Sequence, residues 1–507
     1  MNGSQNELWH VLNAMNLWDA TAWVDKDSTP LGYYLWTNYW PPGFYLFAWP
    51  FFAVWGASHQ TLVLSNLGHL AILLWAVYRL GCEVRGARAG LMAMCLVLLY
   101  PSITGNMVRF EPSVALAAWV SLGALALLKC RGFSELRWSL VFAVVSAAGL
   151  MMDRLSYAFF LGIPAVVELW RALRGGQVQV RLKHSAWALG LLILLCGYWH
   201  WNFFHMHVSE LLEQGGAGNI DSHGNFTEAR PVFALRTLLF YPAVLLDDQA
   251  GLLPGLLALI GLGAWFFRPA GKDRVLALVV LSSVVVFTLI QKKQVYYTLP
   301  MLGCLAVLSA VWLVDRRRVG LFLFAVVCFG GVHQISLRML ERSAPLPGEM
   351  SRILGASFFP TAWVDREYPQ ARPPLWLDLP TDEILAALPP GEILVFSEDP
   401  VWTETYAVLH FRERMPVRRV WQVVGNPQRA FENIHSASAM IHISPDTNPG
   451  WPRASEIKAA LITENPTTAD QWALGEAMAQ AEHLFRPAER FVWEGGEALI
   501  WKSRTLD

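Results

Sequence analysis

The chain has 507 residues, 54% of them hydrophobic and only 16% charged, against roughly a quarter charged in ordinary soluble domains. With 24 tryptophans and a formal net charge of −1, it is neither wholly soluble nor a globally basic nucleic-acid binder, so the placement of individual charges carries the information. Cys82, Cys95, Cys130, Cys196, Cys304 and Cys328 fall in apolar segments or the short loops between them, which leaves no disulfide framework and no zinc spacing.

The stretch from Asn6 to Asp27 is acidic and aromatic. Glu7, Asp19, Asp25 and Asp27 share it with a single cation, Lys26, and five tryptophans lie between Trp9 and Trp40. Carboxylates beside aromatics suit a sugar-handling surface at a membrane boundary. The same aromatics also suit a tail at the headgroup level, where Trp and Tyr concentrate in any membrane protein. Residues 41–56 carry Pro41, Pro42 and Pro50 among aromatics, which fits a helix lying in the interface better than one crossing the hydrocarbon.

Apolar runs near the ~20 residues needed to cross a bilayer occur at 62–79, 89–105, 112–129, 138–152, 155–171, 185–204, 251–267, 275–290, 295–314 and 319–336. Asp153-Arg154 falls between two of them and marks a tight reversal. The cations of the connecting loops divide unevenly. Arg79, Arg85, Arg88, Lys129, Arg131, Arg137, Arg171, Arg174, Arg181, Lys183, Arg268, Lys272, Arg274, Arg316, Arg317 and Arg318 lie in one set of loops; the alternate set holds only Arg109, Arg154, Arg230, Arg236, Lys292 and Lys293. The first set is expected in the cytoplasm, which puts the segment before residue 62 and everything after 337 outside. An outer N-terminus then requires either unaided translocation of a short cation-poor tail or a helix upstream of Met1.

Beyond residue 338 the pattern changes. Thr381 ahead of Asp382-Glu383 starts a helix, strands are expected at 392–397, 405–411 and 438–444, helices at 454–462 and 468–484, and a closing pair of strands around Gly495-Gly496. The expected architecture is a polytopic α-helical membrane protein of about ten transmembrane helices plus interfacial helices. It divides into an outer acidic loop (1–61), a transmembrane domain (62–337) and a small extracytoplasmic α/β domain (338–507). No Gly-rich phosphate loop or nucleophile elbow occurs in the last part.

The order of motifs resembles the GT-C membrane glycosyltransferases, in the branch with protein O-mannosyltransferases and lipid A aminoarabinose transferases. An acidic first outer loop is followed by a helix opening with Pro41-Pro42. Arg109-Phe110-Glu111-Pro112 opens a span, Asp153-Arg154 separates two close spans, and Lys292-Lys293 precedes Tyr296-Tyr297-Thr298-Leu299-Pro300. The resemblance covers about residues 5–340. It departs from the family at Asn6-Glu7, where an acidic pair keeps only one carboxylate, at Trp40, where a Lys often stands, and in the first transmembrane helix that precedes the outer loop in the family.

The resemblance implies transfer of a sugar from a polyprenyl phosphate to a lipid, glycan or protein acceptor on the outer face of a bacterial inner membrane, with inversion. Glu7, or else Asp19, Asp25 or Asp27, would take the acceptor's proton, and Arg109, Arg154, Lys292, Lys293, Tyr296 and Tyr297 would receive the donor phosphate. Each residue also has a simpler reading: a snorkelling Arg109 and a helix-capping Glu111, an ion pair at Asp153-Arg154, headgroup contact for the lysines. His205 and His207 near carboxylates could hold a divalent cation, which some relatives use, although exposed histidines in a Gly-rich loop more often face solvent. A transporter or non-catalytic scaffold is the alternative class. It is disfavoured because the charges gather at helix ends and the halves do not repeat.

Overall fold

The computed structural model describes residues 10–18 except 12 and 16, 40–205 except 154, and 233–339 except 234, 268–270, 291, 292 and 294. In the C-terminal part it describes 381–388, 392–397, 420–422, 437–445, 485–493 and 496–503. The chain divides into two compact units. One spans residues 13–371, and the other comprises 1–12 with 372–507.

The first unit is helical throughout its described length. Two consecutive prolines suit the start of a helix better than its interior, and α1 (Gly43–Trp55) begins directly after Pro41 and Pro42 and stops at Gly56, whose φ of 81° suits glycine. Helix α2 (His59–Arg85) starts where the Ser58 hydroxyl accepts from the Thr61 N–H at 3.1 Å. It turns at Gly86 into α3 (Ala87–Leu98). A Cβ on Gly81 would lie 2.5 Å from Gly90 Cα, so these two helices touch backbone to backbone, as small residues permit in membranes. Then come α4 (Pro101–Asn106), α5 (Pro112–Cys130), α6 (Leu136–Leu150), α7 (Ser156–Leu173) and α8 (Val178–Asn202), the last interrupted by a π-helical segment, Ile193–Gly197. Helix α9 (Leu235–Val244) runs into a second π segment, Leu245–Gln249, ahead of α10 (Leu252–Phe266) and α11 (Arg274–Leu289). A 3₁₀ turn (Leu299–Met301) leads to α12 (Leu302–Val314) and α13 (Arg317–Met339).

Each of the ten apolar runs in the sequence coincides with helix in the structure. Among the described residues four helices, α2, α5, α7 and α8, are long and apolar enough to cross a membrane. Helices α5 and α12 are buried nearly all round, as expected of helices apolar on every face. Helix α8 is the reverse: Trp187, Leu194, Tyr198 and Trp201 are all exposed. A long apolar helix whose large side chains face outward needs a lipid environment, and the chain is an integral membrane protein.

The cation-rich loops are joined to one another. Lys129 Nζ lies 2.7 Å from Glu83, Arg85 Nε donates to Asp315 at 2.8 Å, and Arg181 reaches the Gly132 carbonyl at 3.3 Å. Arg274 grips Glu168 bidentately, at 2.7 and 2.8 Å. The loops assigned to one membrane side by their charge therefore meet at one end of the bundle.

In the second unit, α14 (Thr381–Ala387) precedes a five-stranded sheet of β1 (Glu392–Ser397), β2 (Val420–Gln422), β3 (Ala437–Pro445), β4 (Phe485–Trp493) and β5 (Gly496–Ser503). Their order is β2-β1-β3-β5-β4, with β1 parallel to both neighbours and β4-β5 an antiparallel hairpin. Strands β1, β3 and the closing hairpin fall where the alternation predicts them. β2 is three residues long, too short for a period to show. The strand expected at 405–411 and the helices at 454–462 and 468–484 lie outside the described residues.

Candidate active site

At the other end of the bundle, about 26 Å along α2 from Glu83 at 1.5 Å per residue, Asn66 holds the loop that opens α5. Its amide donates to the carbonyls of Arg109 at 2.6 Å and Met107 at 3.2 Å, fixing the turn between α4 and α5. Phe110 stacks on Phe44 of α1, ring centroids 4.4 Å apart. The backbone of Gly43 lies against Met151, whose carbonyl a Cβ there would meet at 2.5 Å. The Pro-Pro helix start, the Arg109 turn and the Asp153 reversal are thus one structural group.

Gln249 ties in the remaining segments. Its carbonyl accepts from Ser102 at 2.9 Å, while its amide donates to Val295 O at 2.5 Å and to Thr298 Oγ1 at 3.0 Å. The π segment makes this possible. Its wider turn lets the adjacent Asp248 and Gln249 both be buried, and π-bulges are frequent at functional sites.

Charge is buried here. Arg109 is 6% and Glu111 4% exposed, so Arg109 does not snorkel to the solvent. Glu111 immediately precedes Pro112 at the first turn of α5, where a carboxylate is favoured by the helix dipole. Lys293, 9% exposed, donates through Nζ to Phe287 O and Thr288 O, both at 2.7 Å, and to Ile290 O. Tyr296 and Tyr297 are half-buried; the Tyr297 ring lies 5.3 Å from both the Phe287 and Tyr296 rings.

Burial pushes the Lys293 ammonium down to about 8, below the roughly 10.4 of an unfolded lysine. The native chain therefore loses this proton first. Between the two values the unfolded state binds more protons and stability rises with pH; below about 8 both states are charged and the slope vanishes. Thermal unfolding from pH 8 to about 10 is expected to show this rise in the wild type and not in Lys293→Met, and equal slopes in the two proteins would reject it.

No protein-family model matches the chain, and no curated protein matches it in sequence. The structural match is extensive. ArnT from Cupriavidus metallidurans bound to undecaprenyl phosphate superposes with a TM-score of 0.60 at 13% identity, over 98% of this chain and 93% of that one. The apo state of the same protein gives 0.57 over the same shares. ArnT is a membrane glycosyltransferase of the GT-C superfamily. The chain has the GT-C fold.

Within this GT-C bundle the structure gathers Arg109, Lys293, Tyr296 and Tyr297 at a single end. Glu7, Asp19, Asp25, Asp27, Arg154, Lys292 and His207 lie outside the described residues. His205 is exposed, and among the described residues no three of His, Cys, Asp and Glu form a metal-binding group. Sequence reasoning missed Asn66, Gln249 and His69. His69 is fully buried one turn after Asn66, its ring 3.8 Å from that of Phe47 and neither nitrogen hydrogen-bonded among the described residues. Polar residues inside spans are a signal in themselves, and all three stand within or beside apolar runs.

Proposed function

We propose that the protein transfers a sugar from a polyprenyl phosphate to an acceptor at the extracytoplasmic face of a bacterial inner membrane. The ion-paired, cation-rich end of the bundle faces the cytoplasm, α1 lies along the outer interface, and the C-terminal unit is an α/β domain on the outer side. The observation that carries the proposal is the buried Arg109 held in a fixed turn at the same end as Lys293, Tyr296 and Tyr297, on a fold shared with an ArnT that binds undecaprenyl phosphate.

In this reading Arg109, Arg154 and Lys292 provide positive charge for the departing lipid phosphate, Arg109 by a two-pronged hydrogen bond. Glu7, with Asp19, Asp25 and Asp27 as further candidates, takes the proton from the acceptor hydroxyl. That oxygen attacks the anomeric carbon directly, the carbon–phosphate oxygen bond breaks, and configuration inverts. These cations would act with or without a divalent metal ion.

The test is transfer by the purified chain, supplied with polyprenyl-phosphate sugars and a membrane extract. Glu7→Gln removes the proton acceptor while keeping shape, and is expected to lower turnover by about 10²–10⁴. Full turnover by Glu7→Gln removes Glu7 as the base, and no transfer from any donor by the wild type favours a transporter or scaffold.

A further inference from the structure

Two adjacent lysines in a cation-poor face suggest two phosphate ligands, but the geometry of Lys293 suits a different task. The carbonyls of the last helical turn have no partner within their helix. Helix α11 ends at Leu289, and Lys293 folds back onto three carbonyls at this end, those of Phe287, Thr288 and Ile290. An ammonium has three donors and no acceptor, so each N–H already has an oxygen. The charge sits at the negative end of the α11 dipole, and Nζ lies 5.8 Å from the centre of the Tyr241 ring. On the far side of the same turn, Gln249 holds Val295 O and Thr298 Oγ1 and is itself held by Ser102. Tyr296 and Tyr297 lie between these attachments.

We propose that Lys293 does not bind the donor phosphate. It is a positioning residue that caps α11 and, together with Gln249, clamps the turn carrying Tyr296 and Tyr297 beside the donor head group. The functional half of this inference rests on the proposed sugar transfer; the capping half does not.

The two halves are tested separately on the full chain in detergent. Lysine labelling of the wild type with a small amine reagent, read by peptide mass spectrometry, is expected to modify Lys293 at least about tenfold more slowly than the exposed Lys183, because reaction needs local opening. Equal rates would overturn the cap. The second measurement compares binding of undecaprenyl phosphate with that of the neutral alcohol undecaprenol. A clamp lowers both affinities together, so Lys293→Met and Gln249→Leu should leave their ratio within about twofold of wild type, and Lys293→Arg, which still donates to carbonyls, should recover both affinities. A ligand lysine would show itself by a fall of about tenfold or more in that ratio for Lys293→Met alone, and this would overturn the inference. If wild type does not prefer the phosphate to the alcohol, the donor reading fails, and the labelling rates decide the cap.

Discussion

Replacing Arg109 with methionine is expected to lower sugar transfer by roughly 10²–10³, the usual effect of removing a preorganised group from developing charge in a water-poor site. Methionine keeps much of the length and none of the charge. The side chain is buried, and the turn that carries it is pinned by two hydrogen bonds from Asn66. Lysine should not restore the activity, because a point charge lacks the planar fork that grips two phosphate oxygens. Turnover is measured beside thermal unfolding, and a folded Arg109→Met protein within about threefold of wild type would rule out the phosphate role.

The second large effect is on stability. Glu168→Ala leaves Arg274 without its two-pronged partner in a mostly buried position, and breaking such a pair costs about 3 kcal/mol. For a helical unit of this size the melting temperature should fall by roughly 4 °C. Converting both residues to apolar ones, Glu168→Leu with Arg274→Met, should recover much of the loss, since no charge is then left unpaired. Turnover per folded molecule should stay unchanged because the pair joins α7 to α11 at the opposite end from Arg109. A melting temperature unaltered by Glu168→Ala would show that water solvates Arg274 as well as the carboxylate does.

The helices were legible because lipid imposes a length and an apolarity on each crossing, and the loop charges sorted themselves into two groups whose described members the structure keeps apart. Pro41-Pro42 and Glu111-Pro112 announced helix starts, and Asp153 marked the reversal between α6 and α7, because these signals are local. The positioning of the site was not legible for the opposite reason. Asn66 reaches carbonyls 41 and 43 residues away, and Gln249 reaches one 46 residues away. Backbone acceptors look the same whatever the residue, so such pairings leave no trace in the sequence. The π segment that turns Asp248 and Gln249 inward is equally silent, since it differs from an α-helix only in its hydrogen-bond spacing. Lys293 shows a further limit: a lysine that caps a helix and a lysine that faces a phosphate are written with the same letter.

The outward-facing tryptophans, leucines and tyrosine of α8 have a practical consequence. Acyl chains, more than neighbouring protein, hold this helix in place, so solubilisation should loosen it before any other. Short-chain detergents that strip annular lipid would then inactivate the protein by peeling α8 away from α6 and α7, and adding phospholipid back should reverse the damage.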